Sequence, residues 1–153
     1  MKRVAALFIT GLLVSCGGGG SSSGGSSSSS TASGGGDNTP PPAATRYEES
    51  NAAVSLSGVW TAVAATGFGW SGDAAKQSTV PGAKAVFTFT GTSVTWIGNR
   101  NVRSGIALVK VDGGPNSEVD LFARSEEIHT PVITVNGLSA ARHTLTIEVT
   151  GRQ

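Results

Sequence analysis

The chain has 153 residues, but only residues 45–153 have the mixed composition of a folding domain, which leaves room for one small core. Its 11 Lys and Arg nearly balance its 10 Asp and Glu, so no basic surface is available for a nucleic-acid partner. The single cysteine, Cys16, lies outside that domain and excludes a disulfide framework, thiol catalysis and cysteine-bound zinc within it.

The first fifteen residues have the pattern of an export signal. Met1–Arg3 is positively charged, and residues 4–14 form an uncharged, mostly apolar run. This run is shorter than the roughly 20 residues that span a bilayer, and its length suits the hydrophobic part of a signal peptide. The sequence therefore predicts a signal peptide over residues 1–15.

The end of this segment, Leu13-Val14-Ser15-Cys16, resembles the lipobox of bacterial lipoproteins. The resemblance implies that the Cys16 thiol receives a diacylglycerol and that the peptide bond before it is cut. Several acyl chains would then anchor the protein to the membrane of the cell envelope. Gly17 is not the aspartate that retains many lipoproteins at the inner membrane, so a Gram-negative host implies the outer membrane. An ordinary secretory signal is the alternative.

Residues 16–44 are predicted to be a linker that follows the lipidated cysteine. Residues 17–36 are Gly and Ser except for Thr31 and Ala32, and Pro40–Pro42 stiffen the far end. With no large apolar side chain to offset chain entropy, this stretch is expected to be disordered. A flexible chain of this length reaches about 30 Å.

From residue 47 onward, apolar and polar residues alternate with a period of two, and turn-forming residues separate the alternating runs. The runs predict strands over residues 59–66, 84–90, 93–98, 105–112 and 143–150. About six to eight short strands in a domain of this size predict an all-β fold, an antiparallel β-sandwich or jelly roll over residues 45–153.

Two stretches carry a resemblance to a known fold family. The first stretch, residues 47–60, contains Tyr47-Glu48-Glu49-Ser50-Asn51-Ala52 and Gly58-Val59-Trp60. The second, residues 87–151, contains Thr92-Ser93-Val94-Thr95-Trp96-Ile97-Gly98, Arg103-Ser104-Gly105 and Leu145-Thr146-Ile147-Glu148-Val149. Together they resemble the galactose-binding-like jelly rolls that occur as carbohydrate-binding or accessory modules in bacterial extracellular hydrolases. The resemblance covers nearly all of residues 46–151. It implies a domain that binds sugars, binds proteins or packs against a catalytic domain.

The sequence departs from the calcium-binding members of that family in two places. Those members begin with Tyr-Glu-x-Glu, whereas Ser50 stands at the second glutamate position here, and they add a carboxylate from a strand after the position of Gly151. We therefore expect no cofactor, with calcium the one metal that the resemblance would imply. The same departure suggests that the last strand is missing or supplied from elsewhere, which would leave a strand near residues 47–56 as an exposed sheet edge for a protein partner.

Aromatic and planar polar side chains are the candidate sugar contacts. Trp70 lies in a glycine-rich loop where it would offer a stacking platform, or would alternatively cover the end of the sandwich. Trp60 and Trp96 lie in alternating runs and are expected in the core. The segment after the Trp96 strand supplies amide and guanidinium donors suited to sugar hydroxyls, with a solvated surface loop as the alternative. The candidate polar contacts are Asn99, Arg100, Asn101 and Arg103.

No pattern of catalytic residues rises above chance. His129 and His143 lack the spacing of zinc ligands, and a triad of Ser104, His143 and Asp120 has no nucleophile-elbow sequence to support it. The adjacent Glu126 and Glu127 are typical of a solvated turn. The sequence thus predicts no enzymatic activity.

The leading hypothesis is a non-catalytic carbohydrate-binding module, tethered to the envelope as a lipoprotein, that binds polysaccharide or envelope glycan. Two alternatives remain open. One is a protein-interaction or structural module, and the other is a truncated accessory domain of a larger glycoside hydrolase or esterase.

Overall fold

The structure, a computed structural model, describes residues 7–9, 11–15, 44–64 and 74–153. Within these ranges the chain forms twelve β-strands and no helix, so the all-β prediction is confirmed. The described residues therefore contain no helix that could cross a membrane. The predicted lipidation site Cys16 and the predicted platform Trp70 lie outside the described residues. The strands are β1 (Leu7–Ile9), β2 (Gly11–Ser15), β3 (Thr45–Tyr47), β4 (Val54–Ser57), β5 (Thr61–Ala64), β6 (Ala74–Ser78), β7 (Lys84–Gly91), β8 (Ser93–Arg100), β9 (Ile106–Val111), β10 (Ser117–Asp120), β11 (Glu127–Val135) and β12 (Ala141–Val149).

The larger sheet contains five antiparallel strands in the order β10-β9-β12-β7-β4. Its central strand, β12, places Leu145 opposite Phe87 on one side and opposite Val111 on the other. Successive residues of β7 and β12 alternate between buried and partly exposed. This alternation is the expected consequence of a period-two sequence with one face on the core.

The second sheet contains four antiparallel strands in the order β11-β8-β2-β3. Strand β11 lies at its edge and pairs with β8, with irregularities in register between Glu127 and Thr130 and between Pro131 and Ile133. Pro131 is tolerated there because an edge strand can spare a backbone donor. A third, three-stranded sheet has the order β1-β6-β5.

The apolar run at the start of the chain contributes strands to two of these sheets. Residues 7–9 pair with β6, and residues 11–15 lie between β8 and β3. Residues 11–15 are thus an internal strand of the four-stranded sheet, next to β3. The expected single strand near residues 47–56 is instead two strands, β3 and β4, at the outer positions of two different sheets.

One hydrophobic core lies between the five-stranded and the four-stranded sheet, as in a β-sandwich. Trp96 is fully buried in it, which confirms its predicted place in the core. Phe87 packs against Tyr47 and Phe89, with ring centroids 5.1 and 5.4 Å apart. Trp60 is partly buried against the core, and its indole N–H donates to the carbonyl oxygen of Ser57 at 2.9 Å.

Candidate functional site

A cavity of about 280 Å³ lies where the turn after β8 meets the segment between β10 and β11. Its lining residues are Asn101, Val102, Arg103, Arg124, Ser125 and Glu126. Two of the four predicted polar contacts, Asn101 and Arg103, are therefore in its wall. The structure adds Arg124, Ser125 and Glu126, which the sequence analysis did not assign to a binding site.

The first wall of the cavity is the turn at residues 101–103, and the second wall lies in the segment 121–126 between β10 and β11. Backbone contacts hold the two walls together. Asn101 forms an isolated parallel β-bridge with Phe122. Its N–H donates to the carbonyl of Leu121 at 3.3 Å, and its carbonyl accepts from the N–H of Ala123 at 3.2 Å. Leu121 and Ala123 are buried, so the second wall is anchored in the core on both sides of the bridge. These backbone hydrogen bonds fix the position of the second wall relative to the first, so the shape of the cavity is defined by the fold itself.

The side chain of Asn101 shapes the turn that carries Arg103. Its Oδ1 accepts from the backbone N–H of Arg103 at 2.8 Å and from the hydroxyl of Ser104 at 3.2 Å. This arrangement is an Asx turn, which asparagine forms readily. The carbonyl end of the amide is committed to the turn, while none of the described contacts uses its NH2 group.

Asn99 and Arg100 lie within strand β8 and not in a loop, because β8 continues two residues beyond the predicted end at Gly98. Pairing of Arg100 with Glu127 on β11 extends the strand. The Arg100 guanidinium is 3.3 Å from a carboxylate oxygen of Glu127 and donates to the carbonyl of Phe122 at 3.3 Å. Arg100 therefore ties β11 to the second wall of the cavity.

Asn99 supports the cavity from behind. It is only 1% exposed, and its Nδ2 donates to Oε1 of Glu126 at 3.3 Å. Its Oδ1 is buried with no hydrogen-bond partner among the described residues. A buried acceptor without a hydrogen bond costs about 1–3 kcal/mol, and most buried side-chain acceptors in proteins have a partner. Asn99 is therefore an exception to that rule.

The charge and surface of the cavity suit a neutral or acidic polar ligand. Arg103 and Arg124 bring two guanidinium groups, against the one carboxylate of Glu126. Phe122, the bridge partner of Asn101, is 46% exposed, and Val102 in the opposite wall is 49% exposed. Phe122 is not one of the lining residues, so its exposed side chain belongs to the surface of the adjoining segment and not to the cavity wall.

Sequence reasoning missed Phe122 although a local signal was present. Leu121 and Ala123 are buried on either side of it, and period-two alternation then directs the residue between them outward. Three residues in a row do not reveal which face is buried. The proximity of Phe122 to Asn101 follows only from the non-local bridge.

His143 belongs to a separate hydrogen-bonded group. Its Nδ1–H donates to Oδ2 of Asp112 at 2.6 Å, and its Nε2–H donates to the carbonyl of Ser139 at 2.9 Å. The hydrogen bond to Asp112 is the main reason that the pKa of His143 is raised, and the same bond lowers the pKa of Asp112. Because both ring nitrogens donate a hydrogen bond, the arrangement favours the protonated, charged imidazolium. It leaves neither nitrogen free to act as a base.

The residues of the triad weighed in the sequence analysis belong to three different hydrogen-bond groups. His143 pairs with Asp112, the hydroxyl of Ser104 donates to Asn101, and Oδ1 of Asp120 accepts from the N–H of Phe122 at 2.8 Å. The described contacts therefore do not assemble that triad.

The glutamates of the calcium-like motif have different surroundings. Glu48 forms an ion pair with Arg46 at 3.0 Å. Glu49 is buried, and its pKa is raised chiefly because burial penalises the charged form. Across the part of the chain that the structure describes, no group of three or more His, Cys, Asp or Glu side chains is placed to hold a metal ion.

No protein-family model matches the sequence. Over 102 residues, the chain is 29% identical to an A type blood N-acetyl-alpha-D-galactosamine deacetylase of Flavonifractor plautii. The match covers 65% of this chain and 13% of that enzyme. The chain is therefore similar to a small part of a carbohydrate-modifying enzyme.

Proposed function

We propose that the domain is a non-catalytic carbohydrate-binding module, held at the cell envelope as a lipoprotein through Cys16. The observation that carries the proposal is the cavity beside β8, whose lining includes Asn101, Arg103 and Arg124, with the exposed Phe122 in the adjoining segment. Sugar rings present hydroxyl groups to amide and guanidinium donors and apolar faces to aromatic rings.

The size of the cavity favours a short ligand segment. At about 280 Å³ it lies near the lower limit of small-molecule sites, which run from about 300 to 1,000 Å³. One sugar unit of a longer chain would fill it, while neighbouring units would extend over the exposed surface around Val102 and Phe122.

The composition of the cavity wall favours binding over glycoside hydrolysis. The latter requires two carboxyl groups facing one bond. Glu126 is the one carboxylate in the wall, and it accepts a hydrogen bond from Asn99, while nearby Glu127 is paired with Arg100.

An accessory role to a larger carbohydrate-active enzyme is the second candidate. The similarity to 13% of the length of the deacetylase favours it, because a segment of that size is more typical of an auxiliary domain than of a complete enzyme. The proposed sugar site is the same in both cases.

A glycan array with the full chain carrying Cys16→Ser tests the sugar-binding proposal. The substitution removes the thiol that would be lipidated and leaves residues 45–153 unchanged. We expect selective retention on one class of glycan. A chain that melts cooperatively and binds no glycan would contradict the proposal.

Metabolic labelling with a radioactive fatty acid in a bacterial host tests the anchor. We expect label on the wild-type chain and none on Cys16→Ser, because the thiol is the acceptor in the lipobox chemistry. The Ser15→Ala variant, which keeps the thiol and a small residue before it, is the control and should remain labelled. Equal labelling of the wild type and Cys16→Ser would contradict lipidation at this residue.

A further inference from the structure

Strand β2 occupies an internal position in the four-stranded sheet. It pairs antiparallel with β8 over five residues, from Gly11 opposite Ile97 to Ser15 opposite Ser93. On its other side it pairs antiparallel with β3 over three residues. Residues 12–14 are therefore paired on both sides within the sheet.

Strand β3 depends on β2 for its place in the sheet. Among the strands of the described residues, in the order β11-β8-β2-β3, β2 is the one neighbour of β3. Without residues 11–15, β8 and β3 would face each other across a gap of two strand spacings, about 9–10 Å. We call this position, between β8 and β3, the strand slot.

The slot accepts an apolar side chain into the core. Val14 is 4% exposed and belongs to the core cluster, and its partner on β8, Val94, is 1% exposed. A strand without an apolar side chain at this point would leave a cavity in the core, which is costly.

The segment that fills the slot is also the apolar run of the predicted signal peptide. The inference rests on the proposed function at this point, because lipoprotein processing before Cys16 would remove residues 11–15. The linker that follows offers no replacement, since residues 17–36 are Gly, Ser, Thr31 and Ala32.

We propose that the processed domain receives a strand from a second polypeptide in the slot. The partner segment has five extended residues antiparallel to β8, no proline, and an uncharged apolar side chain opposite Val94. Backbone hydrogen bonds on both sides would provide affinity, and the buried apolar position would provide selectivity, as in other cases of β-strand addition.

The test uses the full chain with Cys16→Ser and a specific protease site in place of residues 17–23. After cleavage, the N-terminal peptide is held only by its strand contacts. We expect it to co-elute with the domain in size-exclusion chromatography. A labelled peptide of residues 7–20 should then replace it when present in excess.

Two peptides with the same added charge provide the matched comparison. Val14→Asp places the carboxylate at the buried position, and we expect it to bind at least about 100-fold more weakly. Gly17→Asp places it outside the strand and should bind like the unmodified peptide. Because the changes are in the peptide, the domain itself stays the same.

Three results would overturn the proposal. The first is loss of the cleaved peptide with no change in the melting temperature and no binding of added peptide. The second is equal binding of the Val14→Asp and Gly17→Asp peptides. The third is retention of residues 7–15 in N-terminal sequencing of the membrane-extracted protein, since the slot would then be permanently filled. The first two results depend on neither glycan binding nor lipidation. The third would also contradict processing before Cys16, and the fatty-acid labelling of Cys16 shows whether the proposed anchor fails with it.

Discussion

At the scale of single residues, His143 joins the turn after β9 to the start of β12. It binds Asp112 through one ring nitrogen and the Ser139 carbonyl through the other. Asp112 also accepts from the backbone N–H of Thr144 at 2.7 Å, so one carboxylate holds two adjacent residues of β12. The group fixes the end of the central strand of the larger sheet.

This pair predicts a pH-dependent stability. The pKa of His143 is raised above 6.5, so its contribution is complete below about pH 6.5 and is lost as the pH rises through the folded-state pKa. The pKa of Asp112 is lowered below 3.8, so its contribution is present above about pH 3.8 and is lost as the pH falls through the folded-state pKa. The pair therefore stabilises most between these two values.

Urea unfolding at pH 5.5 and at pH 8.5 measures this effect. We expect the wild type to lose more unfolding free energy between these pH values than Asp112→Asn does. An unchanged dependence in Asp112→Asn would show that the pair does not provide it.

The wall of the cavity beside β8 could be predicted in part from single residues. Asn101 and Arg103 could be selected because planar donors concentrate in one polar segment. Arg124 lies more than twenty residues away, and non-local contacts such as the bridge between Asn101 and Phe122 bring its segment to the site. A contact of this kind leaves no periodic signal in the sequence.

At the scale of elements, the connection after β12 is closely packed. Gly151 has a positive φ of 73°, and a Cβ atom there would lie 2.5 Å from Cγ of Pro81. Gly82 has a similar φ of 82°, but a Cβ atom there would meet no heavy atom within 4 Å. An alanine at position 82 would thus cause backbone strain alone, whereas an alanine at position 151 would cause backbone strain and steric overlap with Pro81.

We expect Gly82→Ala to cost about 1–2 kcal/mol of unfolding free energy, because a left-handed backbone disfavours a Cβ atom. Gly151→Ala should cost this amount plus about 1–3 kcal/mol, because the proline ring cannot move aside freely. Chemical denaturation of both variants measures the difference. Equal losses would contradict the predicted overlap with Pro81.

The strands that could be predicted are those in which apolar and polar residues alternate without interruption. β7, β9 and β12 match the predicted runs to within two residues at each end. β11 was not predicted, because Pro131 and its irregular register disturb the alternation. The strand β2 could not be predicted, because an apolar run has the same composition whether it enters a membrane or a sheet, and the signal peptide over residues 1–15 stays a prediction.

At the scale of the whole molecule, two features lie on the same four-stranded sheet. The cavity lies at the end of β8, and the strand slot runs along the same strand. A sugar site and a strand-binding site on one small domain would allow it to link a glycan to a protein partner. The balanced charge of the chain is consistent with recognition by local contacts and not by a long-range field.

The most direct test of the central claim is calorimetric titration of the glycan selected on the array. We expect Arg103→Ala and Arg124→Ala to weaken binding by about tenfold to a hundredfold, as for the loss of a charged hydrogen-bond donor. Arg142→Ala, an exposed position on β12 away from the cavity, should bind like the wild type. Unchanged affinity in both cavity variants, with their folding intact, would contradict a sugar site beside β8.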